Sequence, residues 1–175
     1  MIKSVVYPVS LKIIKKQEDM STNHLGLPIE QTKAIATQLN ALLSTYQLHY
    51  QNLRGLHWNI KGSNFFELHL KFEEYYNDAQ EKIDLIAERI LTLGESPLHS
   101  FQDYLDNSKI ATEKNITDGH KAVDLINASV KTILELERPI LKLAGDVNDD
   151  GTADLMTQFI SQQEKEVWML RSWLN

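Results

Sequence analysis

The sequence predicts an all-α fold, a bundle of four long helices arranged as two antiparallel hairpins with one long crossover between them. Apolar residues recur at helical spacing almost everywhere after Leu27, nothing alternates convincingly at period two, and turn residues cut the periodic region into four segments. The first helix starts near Pro28, a good early helical residue, and runs through Ile35, Leu39, Leu42, Tyr46, Leu53 and Leu56 to a stop at Asn59 to Gly62. Asn64 with Glu67 three residues on resembles a capping box and opens the second helix, which carries Phe72, Tyr76, Ile83, Ile86 and Ile90 and stops at Gly94. Residues 95–117 break the pattern at Ser96-Pro97, with Phe101, Tyr104 and Leu105 spaced for one short amphipathic helix inside the crossover. A third helix begins around Asp118, with Val123, Ile126, Val130, Ile133 and Leu136 inward and Pro139 expected to kink it before Gly145. A fourth starts near Thr152 and uses Leu155, Phe159, Val167 and Leu170.

A chain of 175 residues fits one domain and can bury enough surface to fold without staples. It has no Cys, which removes disulfides, thiolate nucleophiles and Cys-type zinc or iron–sulfur sites. No apolar run approaches the ~20 residues that span a bilayer. Val5 to Val9 is short, broken by Pro8 and followed by lysines, so it is not read as a signal peptide, and a cytoplasmic protein is expected. The net charge is −6, while residues 1–20 hold four Lys against Glu18 and Asp19. The rest of the chain is therefore strongly acidic and unlike a nucleic-acid-binding surface.

The most informative stretch runs from Leu56-His57-Trp58-Asn59 to Glu88 and holds five metal-competent side chains: His57, His69, Glu73, Asp84 and Glu88. Glu73 lies one turn after His69, and Glu88 one turn after Asp84, so each pair shares a face able to pinch an ion. From Glu73 to Asp84 is eleven residues. On a helix that is within roughly 20° of one face but about 16 Å along the axis, too far to share an ion. A second copy crossing antiparallel about a two-fold axis near Asp78 and Ala79 would bring His69 and Glu73 of one chain to Asp84 and Glu88 of the other, giving paired sites at a homodimer interface. Carboxylates with imidazoles suit iron or manganese, whereas closed structural zinc sites favour thiolate. No Glu is followed by His three residues later, so the usual intrachain di-iron signature is absent.

Leu56-His57-Trp58-Asn59-Ile60-Lys61-Gly62-Ser63-Asn64-Phe65, followed by His69, Glu73, Asp84 and Ala87-Glu88-Arg89, closely resembles the Dps family, the mini-ferritins called DNA-binding proteins from starved cells. Gly145-Asp146, Thr152 to Leu155 and Trp168-Met169-Leu170 extend the likeness, which covers residues 25–175 as one domain behind an extension at 1–24. The resemblance implies a ferritin-like four-helix bundle with a short helix in the long crossover between helices two and three, and twelve copies forming a hollow shell with ferroxidase centres at two-fold interfaces. It implies His57 and His69 as ligands from one subunit and Asp84 and Glu88 from its mate, for two iron ions per centre. Glu73 stands where the family more often has Asp, and its extra methylene leaves direct coordination and a water-bridged role both open. Trp58 would be a nearby electron donor or radical trap, or an aromatic packed at the dimer seam.

Asp146-x-Asn148-x-Asp150-Gly151 mimics the start of an EF-hand, but Thr157 occupies the twelfth position where a bidentate Glu is required. The resemblance instead sets Asp149, Asp150 and Asp154 near three-fold pores that would draw Fe²⁺ inward; a solvated loop chosen for turn geometry is the other reading. The expected function is oxidation of Fe²⁺, preferably by hydrogen peroxide, with storage of the ferric mineral and protection against oxidative stress. The alternative is a DNA-compacting protein, nucleoid-associated, using Lys3, Lys12, Lys15 and Lys16 as a weakly basic tail. Met20-Ser21-Thr22-Asn23 also reads as a second possible start just before the resemblance begins.

Overall fold

The computed structural model describes residues 21–175. These form α1 (Ile29–Asn59), α2 (Phe65–Thr92), the short α3 (Phe101–Asn107), α4 (Gly119–Asp146) and α5 (Asp150–Leu174). The helix α1 packs along α2, α4 along α5, and α1 against α4, with α3 lying on α1. This is the expected pair of hairpins joined by a crossover that carries one short helix. The core is the stripe of each helix recognised from its period: Ile35, Leu39, Leu42 and Leu53 of α1, Phe72, Ile86 and Ile90 of α2, Ile126 and Ile133 of α4, and Phe159 and Leu170 of α5, where Met156 is buried in place of the expected Leu155, which is only partly covered. Each fully buried large apolar side chain contributes roughly 1.5 to 3 kcal/mol of transfer free energy.

The ends differ from expectation where side chains found better partners. Pro28 is the residue before α1, not inside it, and its fixed φ of −61° suits that place. The Asn64/Glu67 box does not form: Asn64 sits at φ −96°, ψ 20°, its side chain accepts from the Ser63 hydroxyl, and Glu67 instead accepts from the Trp173 indole at 3.1 Å. A reciprocal cap appears at α3, where Ser100 accepts from the Asp103 amide and donates to the Asp103 carboxylate. The fourth long helix starts at Asp150, two residues before the expected Thr152. The helix α4 continues through Pro139 to Asp146, with Glu137, Ile140 and Ala144 buried on one side, so the lost backbone bond does not end it.

Residues 21–24, assigned by sequence to an extension, fold onto the bundle. Asn23 accepts from the Leu25 and Leu27 amides and donates to the Leu93 carbonyl at 3.1 Å, sealing the end of α2. Gly94 beyond that end has φ +90°, and a Cβ there would lie 3.3 Å from the His24 ring, so both conformation and space favour glycine.

The centre of the bundle is polar. Tyr46 donates to Glu137 at 3.1 Å, and the Gln163 amide donates to the Tyr46 hydroxyl and, at 2.8 Å, to the same Glu137 oxygen. Glu137 is fully buried, and its Oε2 has no hydrogen-bond partner among the described residues. Burial pushes its pKa up to about 7 against the opposing pull of Gln163, Tyr46, Lys82 and Arg138. One turn from Tyr46, burial and the Lys82 charge push His49 down to about 4. Lys82 is itself buried, held by Asp78 and Gln162 over the Phe159 ring.

Candidate metal centre

Near the turn that joins α1 to α2, His57 and His69 face each other across the hairpin. The rings stack with centroids 3.7 Å apart and 20° between planes. Nδ1 of His57 donates to the His69 carbonyl at 2.7 Å, and Nδ1 of His69 to the His57 carbonyl at 2.8 Å. A carbonyl only accepts, so each Nδ1 carries its proton and each Nε2 keeps a lone pair for a cation. One turn on, Glu73 is half-buried and accepts from the Tyr76 hydroxyl at 3.2 Å. Desolvation first, then the Glu73 carboxylate, raises the Tyr76 pKa, which keeps the phenol a donor. The sequence marks Tyr76 only as a periodic position of the second helix, although its place three residues after Glu73 is the spacing at which helical side chains meet.

Asp84 and Glu88 are exposed further along α2. That helix is uninterrupted, so they stand about 16 Å and more from Glu73 along its axis. Among the described residues, no three of His, Asp and Glu gather as one cation site. The five residues expected as ligands thus stand in two groups, His57, His69 and Glu73 at one level and Asp84 and Glu88 at the other. At about 100° per residue, Phe66, Leu70, Glu73, Asn77, Asp84, Glu88 and Leu91 lie within roughly 60° of one another. Phe66, Leu70 and Leu91 on that stripe are 79%, 59% and 59% exposed. Midway between the two groups, Ala79 points into the chain's own core and Asp78 is engaged by Lys82 and Gln162. The exposed side chains at that height are Asn77 and Gln80.

Trp58 is 58% exposed, with the Arg54 guanidinium 4.7 Å from its ring centroid. Its neighbour His57, about 100° round the helix, is buried and faces into the hairpin.

The three acidic residues expected at a pore do not behave alike. Asp150 and Asp154 are exposed. Asp149 is buried as the N-cap of α5: it accepts from the Thr152 amide at 3.1 Å and hydroxyl at 2.6 Å, and it pairs with Arg89 of α2. Three hydrogen bonds on a buried carboxylate leave Asp149 turned into the chain as a helix cap, unlike the exposed Asp150 and Asp154. Arg89 also donates to the Thr152 hydroxyl at 2.8 Å and approaches so closely that a Cβ on Gly151 would stand 2.8 Å from its guanidinium. Lys3, Lys12, Lys15 and Lys16 lie outside the described residues. No helix among the described residues is long and apolar enough to cross a membrane.

The geometry agrees with the comparisons. The family model of the ferritin-like domain matches residues 34–175. A DNA protection during starvation protein of Porphyromonas gingivalis is 40% identical over 148 residues, spanning 85% of this chain and 93% of that one. An uncharacterized protein of Haemophilus influenzae is 44% identical over 153 residues, or 87% of this chain and 96% of the other. Among solved structures, the Dps protein of Vibrio cholerae O1, described as a member of a broad superfamily of ferritin-like diiron-carboxylate proteins, superposes with a TM-score of 0.88 at 48% identity, covering 89% of this chain and 98% of its own. The Dps of Bacillus brevis gives 0.81 at 30% identity over 83% and 98%. On the fold, the paired histidines and this likeness together, the chain belongs to the ferritin-like family, in its Dps branch.

Proposed function

We propose that this protein is a ferroxidase and iron store whose centres are completed between subunits. The observation that carries this reading is the split set: Glu73, Asp84 and Glu88 lie on one partly apolar stripe of α2, with His69 of α2 and His57 of α1 beside Glu73, and neither group alone gathers enough ligands to hold iron. Crossing of two α2 helices would bury Phe66, Leu70 and Leu91 and bring His57, His69 and Glu73 of one subunit to Asp84 and Glu88 of the partner subunit. The apolar stripe supplies association, and the charged pairs then fix the register.

Iron is the substrate. Two Fe²⁺ ions in one site would each give one electron to hydrogen peroxide, which takes up two protons and leaves as two waters, with no hydroxyl radical released. Carboxylates favour the harder Fe³⁺ product, and so few protein ligands leave positions open for oxidant and water. Asp150 and Asp154 remain the carboxylates proposed to attract Fe²⁺ at the pores of a twelve-subunit shell, where ferric oxyhydroxide would collect. Stopped-flow oxidation of Fe²⁺ with peroxide and with oxygen, together with the mass of the native particle, tests the reading. Fast peroxide-driven turnover in a particle of about twelve chains is expected, and full-rate turnover by a monomer overturns it.

A second reading rests on the names of relatives such as the Porphyromonas gingivalis DNA protection during starvation protein. With an acidic body, the basic residues near the start would have to carry DNA contact, multiplied over the assembly. A mobility shift at low salt that moderate salt abolishes, and that truncation of residues 1–19 also abolishes, is the result this reading expects. Absence of a shift at low salt removes it.

A further inference from the structure

We infer that Tyr76 is a positioning residue for the proposed metal centre: its hydroxyl holds one oxygen of Glu73 so that the other is presented to the cation beside the two histidines. The inference rests on the shared-site reading above and adds to it a residue outside the ligand set. The phenol oxygen lies 3.2 Å from Oε1 of Glu73, three residues earlier on α2. Glu has one more rotatable bond than Asp, so an untethered Glu73 would lose side-chain freedom on binding a cation. A hydrogen bond made beforehand removes most of that loss.

The ring of Tyr76 is itself held from two sides. It stands edge-on to His57, with centroids 5.4 Å apart and planes at 82°, and edge-on to Tyr50 at 6.1 Å and 83°. Tyr50 in turn lies under the Arg54 guanidinium. One side chain of α2 therefore touches both an imidazole and a carboxylate of the half-site, and both contacts come from elements already fixed by the hairpin. A Phe at this position keeps the ring contacts and removes only the O–H donor.

The test is a double-mutant cycle read by Co²⁺ titration, using the visible absorption of the bound ion and calorimetry on the assembled protein. Tyr76→Phe is expected to weaken binding at this site about tenfold, the range in which partners of metal ligands act. In a Glu73→Ala background the same substitution is expected to change nothing, because the group it positions is gone. With Fe²⁺ and peroxide, the concentration for half-maximal rate should rise by a similar factor while the saturated rate stays within about twofold. A Tyr76→Phe isotherm that superposes on the unmodified protein overturns the inference. An equal loss in both backgrounds also overturns it, since the hydroxyl would then act on the site without passing through Glu73. His57→Ala/His69→Ala serves as the control: unchanged Co²⁺ binding there sinks the shared site and this inference with it, whereas loss there with no effect of Tyr76→Phe sinks only the role of Tyr76.

Discussion

Replacing Asp84 and Glu88 together by Ala is expected to slow peroxide-driven Fe²⁺ oxidation by more than roughly 100-fold, because even partners one shell further out from a metal cost 10- to 100-fold. Both residues are exposed within the single chain, so their loss leaves its core intact and the assembly should survive. Loss of rate alone would not show that ligands are shared, and the informative step is mixing. A chain with His57→Ala/His69→Ala has an intact acidic half, and the Asp84→Ala/Glu88→Ala chain has an intact imidazole half. Each mixed dimer then rebuilds one of its two sites, so random assembly of equal amounts should recover about a quarter of the sites from two inactive parents. Stopped-flow rates on particles shown by mass to contain both chains check this. No recovery in such particles removes the two-chain centre.

The fold was legible because its signals are local and periodic. Helices α1 and α2 announce themselves by apolar repeats, and the crossover by Ser96-Pro97 and a polar stretch. The placement of the candidate ligands in two groups was legible for a similar reason, since spacing along a helix converts directly into a distance and a face. Partnerships between distant residues were not. Nothing near Asp149 in the sequence shows that Arg89, 60 residues away, takes its carboxylate and turns a candidate pore residue into a buried cap. In the same way Glu67 looks like a capping-box member until Trp173, 106 residues later, supplies an indole donor. Periodicity gives the height along α2 midway between the two ligand groups but not which side chains face outward there. That choice depends on which face the chain's own core claims, and the core claims Ala79.

The polar centre of the bundle has a consequence for pH. Glu137, with a folded pKa of about 7 against an ordinary 4.5, binds its proton more tightly folded than unfolded. Its contribution to stability is thus fully present below the unfolded value and is lost as pH rises through about 7. His49 runs the other way: with a folded pKa of about 4, against 6.5 unfolded, it costs stability as pH falls. The two slopes oppose each other at mildly acidic pH, and above the His49 unfolded value only the buried acids remain. Glu166, also pushed up to about 7 by burial, adds a slope of the same sign over the same range. Between pH 6 and 8, Glu137 should account for a loss of about 1 kcal/mol. Glu137→Gln keeps an oxygen to accept from Tyr46 and Gln163 but cannot ionise. Urea midpoints measured at pH 6, 7 and 8 should therefore fall in the unmodified protein and fall less in the variant. Parallel pH profiles would mean that Glu137 stays charged in the core, its burial compensated by Gln163, Tyr46, Lys82 and Arg138.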